Sequence, residues 1–520
     1  MTADETDTAA PDAPASGGRR GRGARRKARE AKPTRYLSEL DRGIPYLDLL
    51  SPEQVDTLHD RTMTILETTG IDFRDDEAAS MWKAAGADVD GHRVRIDRGL
   101  LMETISTAPS HYTMVSRNPE RTVTLGGRKS VFTPAYGAPF VLDMDGTRRN
   151  ATMADFDNFA KMAQVSPAMQ MAGGVLCEPM DIPVPKRHLH MVRSLMRHSD
   201  KPFMGAVTSR ERAEDTMAMA KIVYGDELAS DTTIMTCLAN ANSPLVWDST
   251  MLDAVKVYAS HNQAMLFSPF VLGGASTPAS TVGSIVQINA EALAGVAFSQ
   301  LVRPGAPAVF GQWAATVSMK SGAPQAGTPD ICHINLLTGQ LARYYDLPWR
   351  CSGMCSASKQ VDAQAGYEAA RNMYGVVLAG ANFVLSTTGY LESALCQSYA
   401  KAAIDAEQAE LFRRFAEGVS LDGLDDAIDS MGDIEPGGHY LGTAHTFANF
   451  ETAFAMPELM DANGYEQWAA EGALDLEARG VNKARQMIAE HEMPPMPDDV
   501  IAELDDFVAR RESELPDNVS

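Results

Sequence analysis

The chain has 520 residues, of which 44% are hydrophobic and 22% are charged, and its formal net charge is −23. This composition is ordinary for a globular protein with a sizeable core, and the length allows one large domain with appendages. The negative charge argues against a folded body that binds nucleic acid, because phosphate binding needs a basic surface. With sparse cysteines, no secretory signal and no long apolar run, we expect a cytoplasmic protein without disulfides or a transmembrane segment.

The N-terminal part divides into two predicted regions. Residues 1–33 are rich in Ala, Pro and Gly and cluster basic side chains between Arg19 and Lys32, which predicts a disordered basic arm. The arm is either a docking segment for an anionic partner or a solvated leader. Residues 34–128 are predicted to form a cap of helices and strands, with one helix opened by Ser51-Pro52 and a second over Asp76–Ala85.

Residues 129–418 alternate eight times between a run with strand composition, a loop and a helical stretch. This alternation predicts an α/β fold, a (β/α)8 TIM barrel, with a doubly wound open sheet as the alternative. The predicted strands are 131–135, 169–176, 202–207, 233–239, 264–270, 308–312, 349–353 and 383–388. The predicted helices are 153–163, 186–197, 211–223, 249–260, 282–302, 331–345, 363–378 and 391–415. Residues 419–520 are predicted to form a C-terminal helical extension.

The residues that follow the strands form the active site in this architecture. Five aromatic side chains occupy such positions, namely Tyr136, Phe140, Phe270, Trp313 and Tyr390. Aromatic faces attract a cation that cannot donate hydrogen bonds, such as a trimethylammonium group, although rings at a barrel mouth also serve packing. As a group they favour a quaternary amine as the ligand.

Other catalytic patterns are weak in this sequence. It contains no Gly-x-Ser-x-Gly elbow, no Walker loop and no His-Glu-x-x-His motif. His188 and His190 lie two residues apart on a predicted helix and therefore diverge, so we expect surface histidines rather than metal ligands. Cys351 and Cys355 lack a second cysteine pair at zinc spacing, and we expect thiols that line the core or the site.

Three segments carry a family resemblance: residues 342–350 (ARYYDLPWR), 358–368 (SKQVDAQAGYE) and 438–446 (GHYLGTAHT). Together with the sequence LETTGI at residues 66–71, they resemble the trimethylamine methyltransferase family, and the resemblance extends from about residue 40 to 500. The fold of that family is a barrel, which agrees with the alternation of strands and helices.

The resemblance implies transfer of a methyl group from a methylated amine to Co(I) of a corrinoid that a small partner protein carries. The chain has no Asp-x-His-x-x-Gly cobalamin signature, so we expect it to bind no corrinoid tightly itself. Family members that act on trimethylamine carry pyrrolysine, and this sequence has none. A quaternary amine already has a neutral amine as its leaving group and needs no added electrophile or acid. The resemblance therefore implies a quaternary amine, glycine betaine first, with proline betaine, carnitine and related betaines also open. A homo-oligomer is expected as well.

The resemblance gives the remaining candidates their roles. Amides are expected to position the substrate, and cationic groups are expected to hold its carboxylate if it is a betaine, although Lys359 and Arg350 could equally pair with nearby acids. His333 is a further candidate that could bind the carboxylate or fasten a loop. The candidates are Asn240, Asn242 and Gln312 for positioning and Lys359, Arg350, His333, Glu178 and Cys355 for lining the substrate site.

Two other functions remain open at this level. One is a barrel lyase or hydrolase without corrinoid, with Glu178, Glu392 or Lys359 as its base. The other is a betaine sensor or scaffold whose basic N-terminal arm docks it elsewhere.

Overall fold

Six short, apolar parallel strands form the centre of the fold. The computed structural model describes residues 35–518 except 227 and 229–231, so the predicted basic arm at residues 1–33 lies outside the described residues. From Tyr36 onward the chain forms one compact unit. The parallel strands are β1 Lys129–Phe132, β2 Thr236–Ala239, β3 Ala264–Phe267, β4 Ala308–Gly311, β5 Trp349–Ser352 and β6 Phe383–Leu385.

These strands are hydrogen-bonded in the order β2-β3-β4-β5-β6-β1, and the sheet curls. Two further predicted strands, 169–176 and 202–207, form no regular strand. They are linked by isolated parallel bridges from Gly173 to Phe203 and from Phe203 to Met235. Gly173, with φ of 101°, breaks the first extended run, and Pro202 has no N–H to donate in the second. The structure therefore shows an α/β fold with a curled parallel sheet, whereas the prediction was eight regular strands.

Eight long helices of the described chain pack around this sheet. They are α1 Met153–Val165, α2 Arg187–His198, α3 Arg210–Tyr224, α4 Ser249–Ser260, α5 Thr281–Val302, α6 Pro329–Tyr344, α7 Ala363–Ala379 and α8 Tyr399–Glu417. Side-chain caps start most of them, as when Asp248 caps Met251 N in α4. The helix predicted at 391–415 begins only at Tyr399, because Tyr390–Leu391 and Cys396–Ser398 form a short antiparallel pair.

Helix α5 is the most apolar of the eight. Among the described residues it is the one helix long and apolar enough to cross a bilayer. However, 89% of its most apolar window is buried in the protein. Helix α5 therefore has the burial of a core helix.

The inside of the curled sheet is filled by one apolar cluster. Val131, Leu238, Leu266, Val309 and Leu385 from the strands belong to it. A hairpin of strands His111–Met114 and Val123–Gly126 adds further side chains at the amino ends of the strands. There the Tyr112 hydroxyl lies 3.0 Å from Thr236 Oγ1, at the first residue of β2.

The remaining N-terminal elements form a cap beside α5. They are helices Pro52–Thr64, Ile65–Thr69, Asp76–Ala85 and Arg98–Ile105, and strands Ile71–Arg74, Asp88–Asp90 and Arg93–Arg95, which Val246–Asp248 joins. A short strand, Leu40–Asp41, pairs with the start of β1.

Two small sheets lie after the parallel strands. One contains Phe140–Leu142, Arg148–Asn150, Tyr390–Leu391 and Cys396–Ser398, and the other contains Phe270–Gly273, Trp313–Val317 and Pro324–Gln325. The C-terminal helices are Leu424–Gly432, Ala444–Asn449, Tyr465–Ala470, Leu476–Ala489 and Asp498–Glu514.

Candidate active site at the carboxyl ends of the strands

Arg350 on β5 is a buried cation, 3% exposed, that points into the curled sheet. Its Nη1 donates hydrogen bonds to Ser268 Oγ at 2.8 Å and to the Gln312 carbonyl at 2.7 Å, at the ends of β3 and β4. Its Nε is buried without a partner. No carboxylate of the described residues lies within ion-pair distance, and burial lowers the pKa of Arg350 to about 10. Among the described residues, the charge of this guanidinium therefore has no counterion.

Gly311 at the end of β4 makes room for Arg350. A methyl group on Gly311 would lie 3.1 Å from Arg350 Cβ and 3.2 Å from the Arg350 carbonyl oxygen. Both contacts are tighter than ordinary van der Waals separations. Because Gly311 has no side chain, the Arg350 side chain can lie directly against it on its way into the interior of the sheet.

Replacing Gly311 by alanine is expected to displace Arg350 and weaken binding of a ligand that carries a carboxylate roughly tenfold, about 1.4 kcal/mol. Isothermal titration calorimetry with the betaine expected from the sequence measures this change. Gly366→Ala is the matched control, because nothing lies within 4 Å of the added methyl group in helix α7. Equal affinities for wild type and Gly311→Ala would remove the assigned role of Gly311.

Phe270 and Trp313 form an aromatic pair just after Ser268 and Gln312, the two residues that bind Arg350 Nη1. Their rings stack at 4.2 Å with an interplanar angle of 1°. Trp313 is 6% exposed and Phe270 is 44% exposed. Since each ring covers one face of the other, the outer face of Phe270 is the one open to solvent. Trp313 directly follows Gln312, so the ring pair and the guanidinium share the ends of the same strands.

Tyr136, Tyr390 and Cys355 surround Arg350 as neutral groups. The backbone N–H of Tyr136 donates to the Tyr390 hydroxyl at 2.8 Å. Burial raises the pKa of both tyrosines, and the charge of Arg350 partly offsets this rise. Burial also raises the pKa of Cys355 to about 11. All three side chains are therefore uncharged at neutral pH.

The Tyr136 ring is held by close packing. A methyl group on Gly174 would lie 2.7 Å from Tyr136 Cε2, so the ring lies directly on the backbone there.

Glu178, the candidate base after the second predicted strand, lies 3.4 Å from Arg187 Nη1. Burial raises the pKa of Glu178, and the charge of Arg187 opposes that rise.

Three candidate amides have different surroundings. Gln312 is buried, and its Nε2 donates to Asn335 Oδ1 at 2.8 Å. Asn240 is half-buried directly after β2. Asn242 is exposed, and its Nδ2 donates to Asp248 Oδ2 at 2.5 Å. Of these three amides, Gln312 is the one that contacts Arg350, and it does so through its backbone carbonyl.

Three other candidates lie outside this group. The Arg148 guanidinium covers the Phe140 ring at 3.7 Å and pairs with Glu392. Lys359 is exposed and its Nζ donates to the Ala357 carbonyl at 2.8 Å. His333 lies on the exposed side of α6, whereas Asn335, two residues later, faces inward.

Two parts of the site carry no motif in the sequence. Ser268 follows β3 as an ordinary polar residue, although it binds Arg350. Lys401 and Asp405 form a buried ion pair at 2.5 Å. Lys401 Nζ also donates to the Met354 carbonyl, and Gly389 N donates to Asp405. The pair thus ties together the loops after β5 and β6. Its only sequence signal is an i, i+4 spacing, which is common on helices.

His188 differs from its expected surface position. It is buried, and its Nε2 lies 2.9 Å from Asp215 Oδ2. Asp215 also accepts from Arg511 at 2.8 Å, so this network fastens the last helix to α2 and α3. Periodicity alone could not show this, because the covering helix comes from the far end of the chain. In the part of the chain that the structure describes, no group of three His, Cys, Asp or Glu side chains could hold a metal ion.

One cavity of the described structure lies among α1, α8 and Leu476–Ala489. None of the residues around Arg350 lines it. Of the side chains around Arg350, Phe270 is the most exposed, at 44%.

A curled α/β sheet with its polar group at the strand ends defines a barrel-like α/β enzyme. The protein-family model described as "Trimethylamine methyltransferase (MTTB)" matches residues 15–516 of this chain. The chain belongs to the trimethylamine methyltransferase family, and it is a methyltransferase.

Relatives and a solved structure agree with this assignment. The glycine betaine methyltransferase of Desulfitobacterium hafniense (strain Y51) is 37% identical, over 91% of this chain and 98% of that protein. The proline betaine:corrinoid methyltransferase of Eubacterium limosum is 26% identical, over 87% and 95%. The monomethylamine methyltransferase (MtmB) of Methanosarcina barkeri has a similar fold, with a TM-score of 0.52, 10% identity and coverage of 86% and 90%.

Proposed function

We propose that this methyltransferase takes a methyl group from a zwitterionic quaternary amine, glycine betaine foremost, and passes it to a corrinoid on a separate protein. The observation that carries the proposal is the buried guanidinium of Arg350, which has no carboxylate partner among the described side chains. Burying a charge without a counterion is costly. A substrate carboxylate would supply that counterion and satisfy the free Nε.

The aromatic pair supplies the complementary half of the site. A trimethylammonium group cannot donate a strong hydrogen bond, so the electron-rich face of a ring is its natural partner. The outer face of Phe270 is open, and the chain runs from Ser268 to Phe270 in two residues. The two ends of a short betaine therefore match two groups on the same strand ends. The name of the 37% identical relative supports glycine betaine as the substrate.

The chemistry asks little of the side chains beyond this placement. The corrinoid, when its carrier protein is docked, supplies the nucleophile that takes the methyl group. The C–N bond breaks, its electron pair remains on nitrogen, and a neutral tertiary amine leaves without protonation. The uncharged Tyr136, Tyr390 and Cys355 fit this scheme, because no other charge competes with the substrate for Arg350. The work of the chain is positioning and exclusion of water.

Three further features complete the proposal: closure of the barrel, the docking place of the carrier, and the compartment and assembly of the protein. The segments at 169–176 and 202–207 act as two strands of a closed eight-stranded barrel, which is supported by Met171 and Met204 in the inner cluster. The corrinoid carrier covers the strand ends, where the exposed face of Phe270 and the bound substrate need shielding from water. The protein works in the cytoplasm as a homo-oligomer.

The decisive experiment mixes the purified protein, a reduced corrinoid carrier protein and one amine at a time. We expect the corrinoid absorbance spectrum to change with glycine betaine and dimethylglycine to form in equal amount. Choline, which lacks the carboxylate, should react poorly. The proposal fails if no betaine changes the spectrum, or if choline reacts as well as glycine betaine.

A further inference from the structure

A buried ion pair at the start of α8 has no part in the chemistry described above. Lys401 and Asp405 are 2% and 3% exposed, and Lys401 Nζ lies 2.5 Å from Asp405 Oδ2. Burial raises the pKa of Asp405, and the charge of Lys401 opposes that rise. Taking both charges out of water is costly, and replacing such a pair by apolar residues often leaves stability unchanged. The contribution of the pair to stability alone is therefore a poor explanation for it.

The lysine of the pair holds the loop after β5. Its Nζ donates to the Met354 carbonyl at 2.9 Å, and Cys355 is the next residue. Burial raises the pKa of Cys355 to about 11, and the charges of Lys401 and then Arg350 oppose that rise. Cys355 therefore lies near both buried cations, and its loop is fixed from the side of α8.

The aspartate of the pair holds the loop after β6. Gly389 N donates to Asp405 Oδ2 at 2.8 Å. Gly389 has a φ of 86°, and a methyl group there would lie 2.6 Å from Gln397 Nε2, so the main chain has little freedom at this residue. Tyr390 comes next, and its hydroxyl accepts from the Tyr136 N–H at 2.8 Å. Through Tyr390, the position of the loop after β1 also depends on Asp405.

The groups that would bind the two charged ends of a betaine are held by other strands. Arg350 donates from Nη1 to residues at the ends of β3 and β4. The stacked rings of Phe270 and Trp313 follow the same two strands. None of these contacts involves Lys401 or Asp405. A change in the pair can therefore move the loops after β5, β6 and β1 while the groups that bind the substrate stay in place.

We propose that Lys401 and Asp405 are positioning residues for methyl transfer, an inference that rests on the proposed function. The pair sets the loops after β5, β6 and β1, and with them the neutral side chains around Arg350. These side chains orient the bound betaine towards the corrinoid and exclude water from it. A displacement of about 1 Å in such a wall lowers the rate of transfer roughly a hundredfold, even when the substrate still binds.

The first test compares wild type with the double variant Lys401→Met and Asp405→Leu. Both charges are removed together, so no unpaired charge stays buried and the fold is expected to persist. With glycine betaine and a reduced corrinoid carrier protein, kcat should fall roughly a hundredfold. The Kd for glycine betaine, measured by calorimetry, should change by about twofold or less, because the lost interaction acts on the transition state. A role in stability alone would leave both values unchanged in the folded protein.

Arg413→Met with Glu417→Gln is the matched control. These residues form an ion pair at 2.8 Å with the same i, i+4 spacing, at the other end of α8. Arg413 binds the Ser38 carbonyl rather than a loop that follows a parallel strand. The control should keep the wild-type kcat and Kd.

Hydrogen exchange followed by mass spectrometry tests the positioning without any substrate. The Lys401→Met and Asp405→Leu variant should exchange faster than wild type at residues 353–358 and 386–391, after β5 and β6. Exchange at residues 268–273, after β3, should stay at the wild-type rate, because the pair does not contact that loop.

A second variant separates the two contacts of the pair. Lys401→Met with Asp405→Asn keeps an oxygen that can accept from Gly389 N, but it lacks the donor to the Met354 carbonyl. This variant should recover slow exchange after β6 and not after β5.

The inference is overturned if exchange in both loops is unchanged, if it rises equally after β3, or if the Lys401→Met and Asp405→Leu variant keeps the wild-type kcat. It is also overturned if the Kd rises as much as kcat falls, because the pair would then act on substrate binding. Failure of the proposed function looks different. No betaine would then react with the wild-type protein, whereas the exchange pattern would still decide whether the pair positions the two loops.

Discussion

Replacing Arg350 by methionine is expected to weaken glycine betaine binding by about 3 kcal/mol, roughly a hundredfold in Kd. The substrate carboxylate would lose its only buried cationic partner. Isothermal titration calorimetry gives the Kd directly. Lys359→Met is the matched control, because Lys359 is exposed and its Nζ donates to the Ala357 carbonyl, away from the Arg350 group. That variant should bind like wild type.

Stability should respond in the opposite direction. Methionine removes a buried charge that has no counterion, so the free energy of unfolding without ligand is expected to rise by about 1 kcal/mol. Ligand at one hundred times the wild-type Kd should stabilise wild type by about 2.7 kcal/mol and the variant by about 0.4 kcal/mol. Denaturant unfolding with and without glycine betaine measures both terms. An Arg350→Met protein that binds normally would contradict the proposed carboxylate contact.

Replacing Phe270 by leucine is expected to remove the preference for a cationic ligand while keeping the carboxylate contact. The appropriate probe is 3,3-dimethylbutanoate, which has the shape and carboxylate of glycine betaine but a neutral carbon in place of nitrogen. Wild type should prefer glycine betaine over this probe by about 1–2 kcal/mol, since a ring face attracts the cation. Phe270→Leu should lose most of that difference.

Phe140→Leu is the control for this experiment. The Arg148 guanidinium already covers the Phe140 ring, so its loss should leave the preference unchanged. If Phe270→Leu weakens both ligands equally, Phe270 contributes packing rather than a cation site.

Sequence patterns located most elements of the fold well. Helix α4 has the predicted bounds, and β3 to β6 begin at the predicted residues. Hydrophobic periodicity and helix caps are local signals, so they identify an element without knowledge of the tertiary structure. The segment at 169–176 failed as a strand because Gly173 takes a positive φ and Gly174 gives space to the Tyr136 ring. Such close approaches depend on distant residues and leave no local pattern.

The site was harder to predict for the same reason. Reading the strand ends found Phe270 and Trp313, and the family resemblance added Arg350 as a candidate for the carboxylate. It could not find their partners. Phe140 and Phe270 are equivalent in sequence, yet a guanidinium covers one ring and solvent reaches the other. Arg350 lies in the seventh predicted strand and points into the sheet, whereas Lys359 follows that strand and is exposed.

The hairpin at His111–Met114 and Val123–Gly126 covers the inside of the curled sheet at the amino ends of the strands, where Tyr112 lies against Thr236. Under the proposed function, we expect the small molecule and the corrinoid carrier to use the same opening at the carboxyl ends of the strands. We expect compulsory-order kinetics: the amine enters first, the carrier arrives second, and the demethylated amine departs only after the carrier has left. Excess carrier protein should then slow turnover by trapping substrate-free enzyme.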